Sequence, residues 1–271
     1  MKIIQGDQVS LETGTSHRGG VSQWRRLLDG DSGAVDNFSL VLGETPGRYS
    51  PRHRHNFEQI RVQLEGVASY GRTGTMTPGM VGYYPEAVHY GPQTQEEGQM
   101  LSSLTLQFGG ASGSGYLSRN ESKAAMEELR AFGEFKDGVF RREDAPTGKK
   151  NVDGYQAIWE HKNDRKLDFP KPRYNAPIFM DPENCQWFPI EGAKAAYEKR
   201  LGTFTECGTS ARTVKLDSGA EWTAEGRTIL FIVSGKGMAG DQELREYTTI
   251  YLDHGETVTL TAEEVTEMLY I

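Results

Sequence analysis

Between residues 35 and 108 the chain alternates short apolar runs with turn residues. NFSLVLGETPG, EQIRVQLEGVASYG, GMVGYYPEAVHYG and MLSSLTLQFGG each read as a strand closed by Gly or Pro. The pattern stops at GGASGSG (109–115), which reads as a linker. Its likeness to a nucleophile elbow fails on spacing and on the lack of a strand-to-helix setting. SRNESKAAMEELRAFGEF comes next. Ser118 or Asn120 can cap it, and Ala125, Met126, Leu129 and Phe132 recur at helical spacing, so a helix with an apolar packing face is expected. RREDAPTGKKNVDG reads as a loop, and AIWEHKNDRKLDFPKPRYNAPIFMDPENCQWFPI as an extended, aromatic-rich connector. From about Arg200 the strand pattern returns in RLGTFTECG, ARTVKLDSG, TILFIVSGKGMAG, YTTIYLDHG, ETVTLTAEE and TEMLYI. Setting Gly235 of IVSGKG on Gly66 of VQLEGV aligns two apolar runs that each open a turn, which points to an internal duplication. The expected division is a first β domain over 1–110, a helix and connector over 111–199, and a second β domain over 200–271.

Composition supports this picture. Thirty-two glycines among 271 residues, with few helical patterns, suit an all-β sandwich or barrel. The formal charge of −8 leaves no basic surplus to neutralise phosphates, so nucleic acid is not the expected partner. MKIIQGDQVSLETG lacks an apolar signal region, and no run reaches the roughly 18 apolar residues of a membrane span. A cytoplasmic protein working on a small molecule is expected, with a homodimer as an option. Cys185 and Cys207 are too few for a disulfide scaffold and read as two thiols.

The chemistry concentrates in PRHRHNFEQIRVQLEG (51–66). His53 and His55 stand one residue apart, as metal ligands often do, and either Glu58 or Gln59 could complete the set. On a strand alternate side chains share a face, so His53, His55, Phe57, Gln59, Arg61 and Gln63 point one way and Glu58 the other, unless a bulge changes the parity.

Gly47, His53, His55 and Gly66 resemble the first motif of the cupin family, G-x5-H-x-H-x3,4-E-x6-G, with Gln59 at the position usually held by glutamate. PGMVGYYPEAVHYGPQ is similar to the second motif, G-x5-P-x-G-x2-H-x3-N. Gly79 and Pro85 keep the family spacing, Ala87 replaces a glycine, His89 arrives one residue early, and Gln93 stands where the family often has Asn. The resemblance implies two jelly-roll barrels, with His53, His55, Gln59 and His89 holding one divalent transition metal in the first. The metal is expected to be Fe, Ni, Mn, Zn or Cu, and imidazole suits Zn, Cu, Fe and Ni. Arg61 would be costly to bury unpaired; it orients an anionic substrate, pairs with Glu44 or Glu65, or tilts to solvent at the strand end. Tyr49 is a second catalytic candidate, and Gln63, Phe57 and Tyr84 are substrate-binding candidates, with Tyr83 and Tyr90 also flanking the motifs.

Carrying the Gly66–Gly235 register back puts Trp222, Ala224 and Thr228 at the ligand positions of the second barrel. Setting Gly255 on Gly79 puts Val265 at the fourth. None is a good ligand, so the second barrel is expected to be metal-free. His17, His161 and His254 read as ordinary surface or packing residues. The resemblance implies a metal-dependent enzyme acting on a small oxygenated molecule, with a dioxygenase slightly favoured. A non-oxidative isomerase or lyase, and a non-catalytic binding protein, are the alternatives.

Overall fold

The computed structural model of the chain describes residues 1–15, 21–34, 36–45, 49–95, 98–145 and 148–271; Gly47 and His17 lie outside the described residues. Two compact units result, Leu11–Met180 and Met1–Ser10 together with Asp181–Ile271. The boundaries expected at 110 and 199 therefore fall inside the units. Residues 111–180 build onto the first, and residues 181–199 build onto the second along with the first ten. Among the described residues no helix is long and apolar enough to cross a membrane.

The first unit is organised by a seven-stranded antiparallel sheet. Its order is Ile178–Met180, Val81–Tyr84, Phe57–Glu65, Leu101–Gly109, Phe38–Thr45, Val21–Asp29 and Leu11–Thr15. Alternation along Phe57–Glu65 sorts its side chains. Ile60 and Val62 lie opposite Leu106 and Leu104 on one side and Tyr83 and Val81 on the other, and all six are buried. The other face is polar: Gln59, Arg61 and Gln63 lie opposite Gln107, Thr105 and Ser103. Burying apolar side chains on one face stabilises the sheet, while the polar face is free to carry chemistry.

The second unit pairs a seven-stranded sheet with a four-stranded one. Its interior is apolar, built from residues such as Leu216, Trp222, Ala224, Leu230, Ile232 and Leu260. The two units repeat one another in detail. Gly66 ends its strand with φ +71°, and a Cβ there would lie 2.3 Å from the Met100 carbonyl oxygen. Gly235 ends Thr228–Ser234 with φ +95°, and a Cβ there would lie 2.4 Å from the Val265 carbonyl oxygen. Only glycine fits either turn. A bulge falls just ahead of each, between Gln63 and Glu65 in one and between Ile232 and Ser234 in the other. Setting Gly235 on Gly66 therefore holds in three dimensions.

The second anchor does not hold. Gly79 donates its N–H to the Gln63 carbonyl at 2.8 Å, and its counterpart is Tyr247, which donates to the Ile232 carbonyl at 2.9 Å. Both have positive φ, +89° and +67°. Gly255 (φ +75°) instead matches Ala87 (φ +65°), so the residue equivalent to Tyr90 is the buried Val258, and Val265 is exposed.

The connector is more ordered than its sequence suggests. Ser118, not Asn120, caps the helix Arg119–Leu129 through a capping box with Glu121. Ala125 and Leu129 are buried, whereas Phe132 lies beyond the helix end and is 60% exposed. The stretch expected to be extended holds a second helix, Gly154–Asn163, capped by Asp153. A three-stranded sheet, Gly133–Lys136, Val139–Arg142 and Asn151–Asp153, flanks it and contains part of the expected loop. Phe140, Tyr155, Ile158 and Trp159 pack with Tyr116 and Phe57, which fixes the connector to the strand that carries the two-histidine motif.

Candidate functional site

His53 and His55 precede the Phe57–Glu65 strand, and their rings meet edge-on with centroids 4.8 Å apart. His53 Nδ1 lies 2.6 Å from the Pro51 carbonyl oxygen, which can only accept. A neutral His53 ring therefore carries its proton on Nδ1 and turns the Nε2 lone pair inward. His55 stacks on Phe57, with ring centroids 4.4 Å apart, and meets Tyr155 of the second helix edge-on at 5.4 Å. Gln59 reaches back along the same face, its Nε2 lying 3.0 Å from His55 Nδ1. Three of the four expected ligands thus come together.

His89 does not join them; it is exposed. The reason is register. His53 and Tyr90 form an antiparallel bridge, with His53 N–H to Tyr90 O at 3.1 Å and Tyr90 N–H to His53 O at 3.0 Å. Residues directly opposite share a face, so Tyr90 points inward with His53 and His89 points out. Counted from Gly79 and Pro85, residue 90 is the histidine position of the second motif, and Ala87 keeps the positive φ of the glycine it replaces. Desolvation, with the charges of Arg54 and Arg52, holds His89 below the ordinary histidine range.

The Tyr90 hydroxyl is the hub of the cluster. It lies 3.1 Å from His53 Nε2, 3.3 Å from His55 Nδ1, 3.0 Å from Gln59 Nε2 and 3.2 Å from Arg61 Nη2. Donors and acceptors balance. Gln59 and Arg61 donate to the hydroxyl oxygen, the hydroxyl donates to His53, and the second Gln59 hydrogen goes to His55.

Arg61 fixes which way Gln59 faces. Gln59 Oε1 accepts from Arg61 Nη2 at 2.7 Å and from Gln107 Nε2 at 3.1 Å. Reversing the amide would set its NH2 against the guanidinium, so the nitrogen, and not the oxygen, faces the histidines. Arg61 also donates to Tyr70 OH at 3.3 Å and Gln93 Oε1 at 3.2 Å, and lies 4.7 Å over the Tyr84 ring. Neither Glu44 nor Glu65 pairs with it; Glu44 faces Arg25 at 3.8 Å. Among the described residues Arg61 forms no ion pair. Burial alone would lower its pKa, but Tyr90, Tyr70 and Tyr84 more than offset this, and it remains a fixed cation.

The other candidates separate. Tyr84 is buried in the cluster wall, and burial beside Tyr70 keeps its phenol well above the ordinary tyrosine range. Phe57 is a wall residue under His55. Gln63 is tied to backbone, donating to the Glu65 and Ser102 carbonyl oxygens at 2.6 and 3.3 Å. Tyr49 is 59% exposed, and among the described residues no hydrogen bond or ring contact ties it to the cluster. Glu58 leaves the barrel interior as alternation requires, yet it is only 2% exposed, because residues of the connector cover it. It lines a cavity of about 130 Å³ with Glu86, Ser112, Lys171 and Arg173. Burial raises the Glu86 carboxyl there, although Ser112 donates to it through both its hydroxyl and its N–H. His161 pairs with Glu128 at 2.7 Å, and Cys185 and Cys207 are free thiols.

The donor set does not fit a resident divalent metal. Gln59 offers a nitrogen that cannot ligate, and Tyr90 stands where a third imidazole is expected, so the set is two imidazoles and a phenol oxygen that ligates only after losing its proton. Among the described residues no group of three or more His, Cys, Asp or Glu side chains is placed to hold an ion. Arg61 adds repulsion: like unit charges 4 Å apart repel by about 4 kcal/mol at an effective dielectric of about 20, and a dication doubles this.

The polar-lined first barrel with its two-histidine segment, and the second barrel repeating its turns and bulge, define a two-barrel cupin fold. Solved structures match nearly the whole chain. A Nostoc punctiforme protein provisionally named a dioxygenase superposes with a TM-score of 0.68 at 13% identity, covering 99% of this chain and 81% of its own. A single-residue mutant of Bacillus subtilis oxalate decarboxylase gives 0.54 at 14% identity, with 99% and 76% covered. A Pseudomonas aeruginosa protein provisionally named glyoxylate-induced gives 0.57 at 13%, with 92% and 80% covered. At these identities the likeness is one of fold. No protein-family model matches the chain, and no curated protein matches it in sequence.

Proposed function

We propose that the first barrel binds a small anionic, oxygenated organic molecule, a carboxylate or an enolate, with Arg61 as its counter-charge. The observation that carries this reading is a guanidinium on the polar barrel face whose partners are all neutral: Gln59, Gln93, Tyr70 and Tyr90. A half-buried cation without a counter-charge is unfavourable, and an anion that accepts two of its N–H groups relieves that cost. Access supports the same reading. His53, His55, Gln59 and Tyr90 are buried, whereas Arg61, Gln93 and Gln107 keep some surface open. A guanidinium beside two amides suits an oxyanion. A dioxygenase reading draws only on the name of the Nostoc protein, and an isomerase or lyase reading on the ability of a cation to stabilise an enolate. Binding of the anion is the step these readings share with a non-catalytic binder.

The test is titration calorimetry of the full chain against a panel of small mono- and dicarboxylates and sugar acids. At least one member should bind, and Arg61→Gln should weaken it by about 10- to 100-fold, as expected for loss of hydrogen bonds to a charged group. Equal affinity in the variant, or no binding across the panel, would overturn the proposal.

A further inference from the structure

We infer that the first barrel works without a divalent metal, and that Tyr90, Gln59 and Arg61 together fill the place an ion would take. The inference is independent of the anion reading, because a barrel that held a metal could still bind carboxylates through Arg61. Three observations carry it. The Tyr90 hydroxyl occupies the point on which His53 Nε2, His55 Nδ1 and Gln59 Nε2 converge, at 3.1, 3.3 and 3.0 Å. The Gln59 oxygen, its one atom able to ligate a metal, is committed to Arg61 and Gln107 at 2.7 and 3.1 Å. Arg61 supplies a permanent positive charge within 3.2 Å of the hub. An arriving ion would have to displace the Tyr90 hydroxyl or strip its proton beside the Arg61 charge, turn an amide against a guanidinium and approach a like charge.

Two further features show that the cluster is built and not merely collapsed. The His53–Tyr90 bridge holds the hydroxyl in place through backbone hydrogen bonds. The Phe57 and Tyr155 rings, at 4.4 and 5.4 Å, hold the His55 ring in position. A fixed internal cation can stabilise a substrate anion as a metal would, without redox capacity and without loss to chelators.

Elemental analysis of the full chain, purified with neither added metal nor chelator and then challenged with Co(II) and Zn(II) before desalting, tests the inference. Wild type should retain less than about one tenth of an ion per chain and develop no cobalt d–d absorption. Retention of about one ion per chain that disappears in His53→Ala would overturn it. The converse variant, Gln59→Glu with Arg61→Leu and Tyr90→His, should gain about one cobalt per chain. If that variant, shown folded by circular dichroism, gains none, the claim that these three side chains exclude the ion is refuted. The wild-type measurement stands whether or not the variant folds.

Discussion

A single hydroxyl holds the candidate site together. Tyr90 accepts from Gln59 and Arg61 and donates to His53, while its ring packs against His53 and Tyr84 with centroids at 4.5 and 4.8 Å. Tyr90→Phe keeps the ring and removes the hub, leaving several enclosed polar atoms short of a partner. It should lower stability by about 1–3 kcal/mol in chemical denaturation with an unchanged m-value. A loss below about 0.5 kcal/mol would mean that the hydroxyl is not the organiser described here. Gln59 is legible in the sequence, since motif spacing and strand parity both select it over Glu58. Tyr90 is legible in part: the count from Gly79 reaches residue 90, but a histidine one position earlier draws the eye. The direction of the Gln59 amide is not legible at all. It depends on Gln107 from the neighbouring strand and on the side-chain path of Arg61, neither of which local spacing encodes.

At the level of elements, turns carry more of the duplication than strands do. Gly66 and Gly235 announce themselves because a side chain at either would strike a carbonyl oxygen. The turn at Gly79 has no such signature in the second unit, where Tyr247 takes the left-handed conformation without being glycine. Counting from glycines alone therefore picks Gly255, which belongs to a later turn. The helix Gly154–Asn163 was similarly obscured by a glycine at its first position and by the proline-rich stretch that follows. Its available signal was Asp153, whose side chain accepts from the Tyr155 and Gln156 N–H groups at 3.0 and 3.1 Å. The capped helix Arg119–Leu129 packs in the same cluster as Tyr155 and Phe57. Ser118→Ala should cost about 1 kcal/mol and speed hydrogen exchange across the first turn, residues 119–122. Exchange unchanged there would show that the capping box adds nothing to the connector.

Over the whole molecule, one strand plan serves two interiors. By the Gly66–Gly235 register, Gln59, Arg61 and Gln63 of the first unit correspond to Thr228, Leu230 and Ile232 of the second. The first set faces a polar barrel; Leu230 and Ile232 are part of an apolar core. The second unit thus has the shape of a binding barrel filled by its own side chains, and the proposed anion site lies in the first. In the proposed site Arg61 is the fixed cation that stabilises the bound charge. The most direct test is the affinity of the best-bound carboxylate, measured by calorimetry before and after exhaustive chelation. Affinity should be the same in both states and about 10- to 100-fold weaker in Arg61→Gln. Binding that vanishes on chelation and returns with added metal would contradict it.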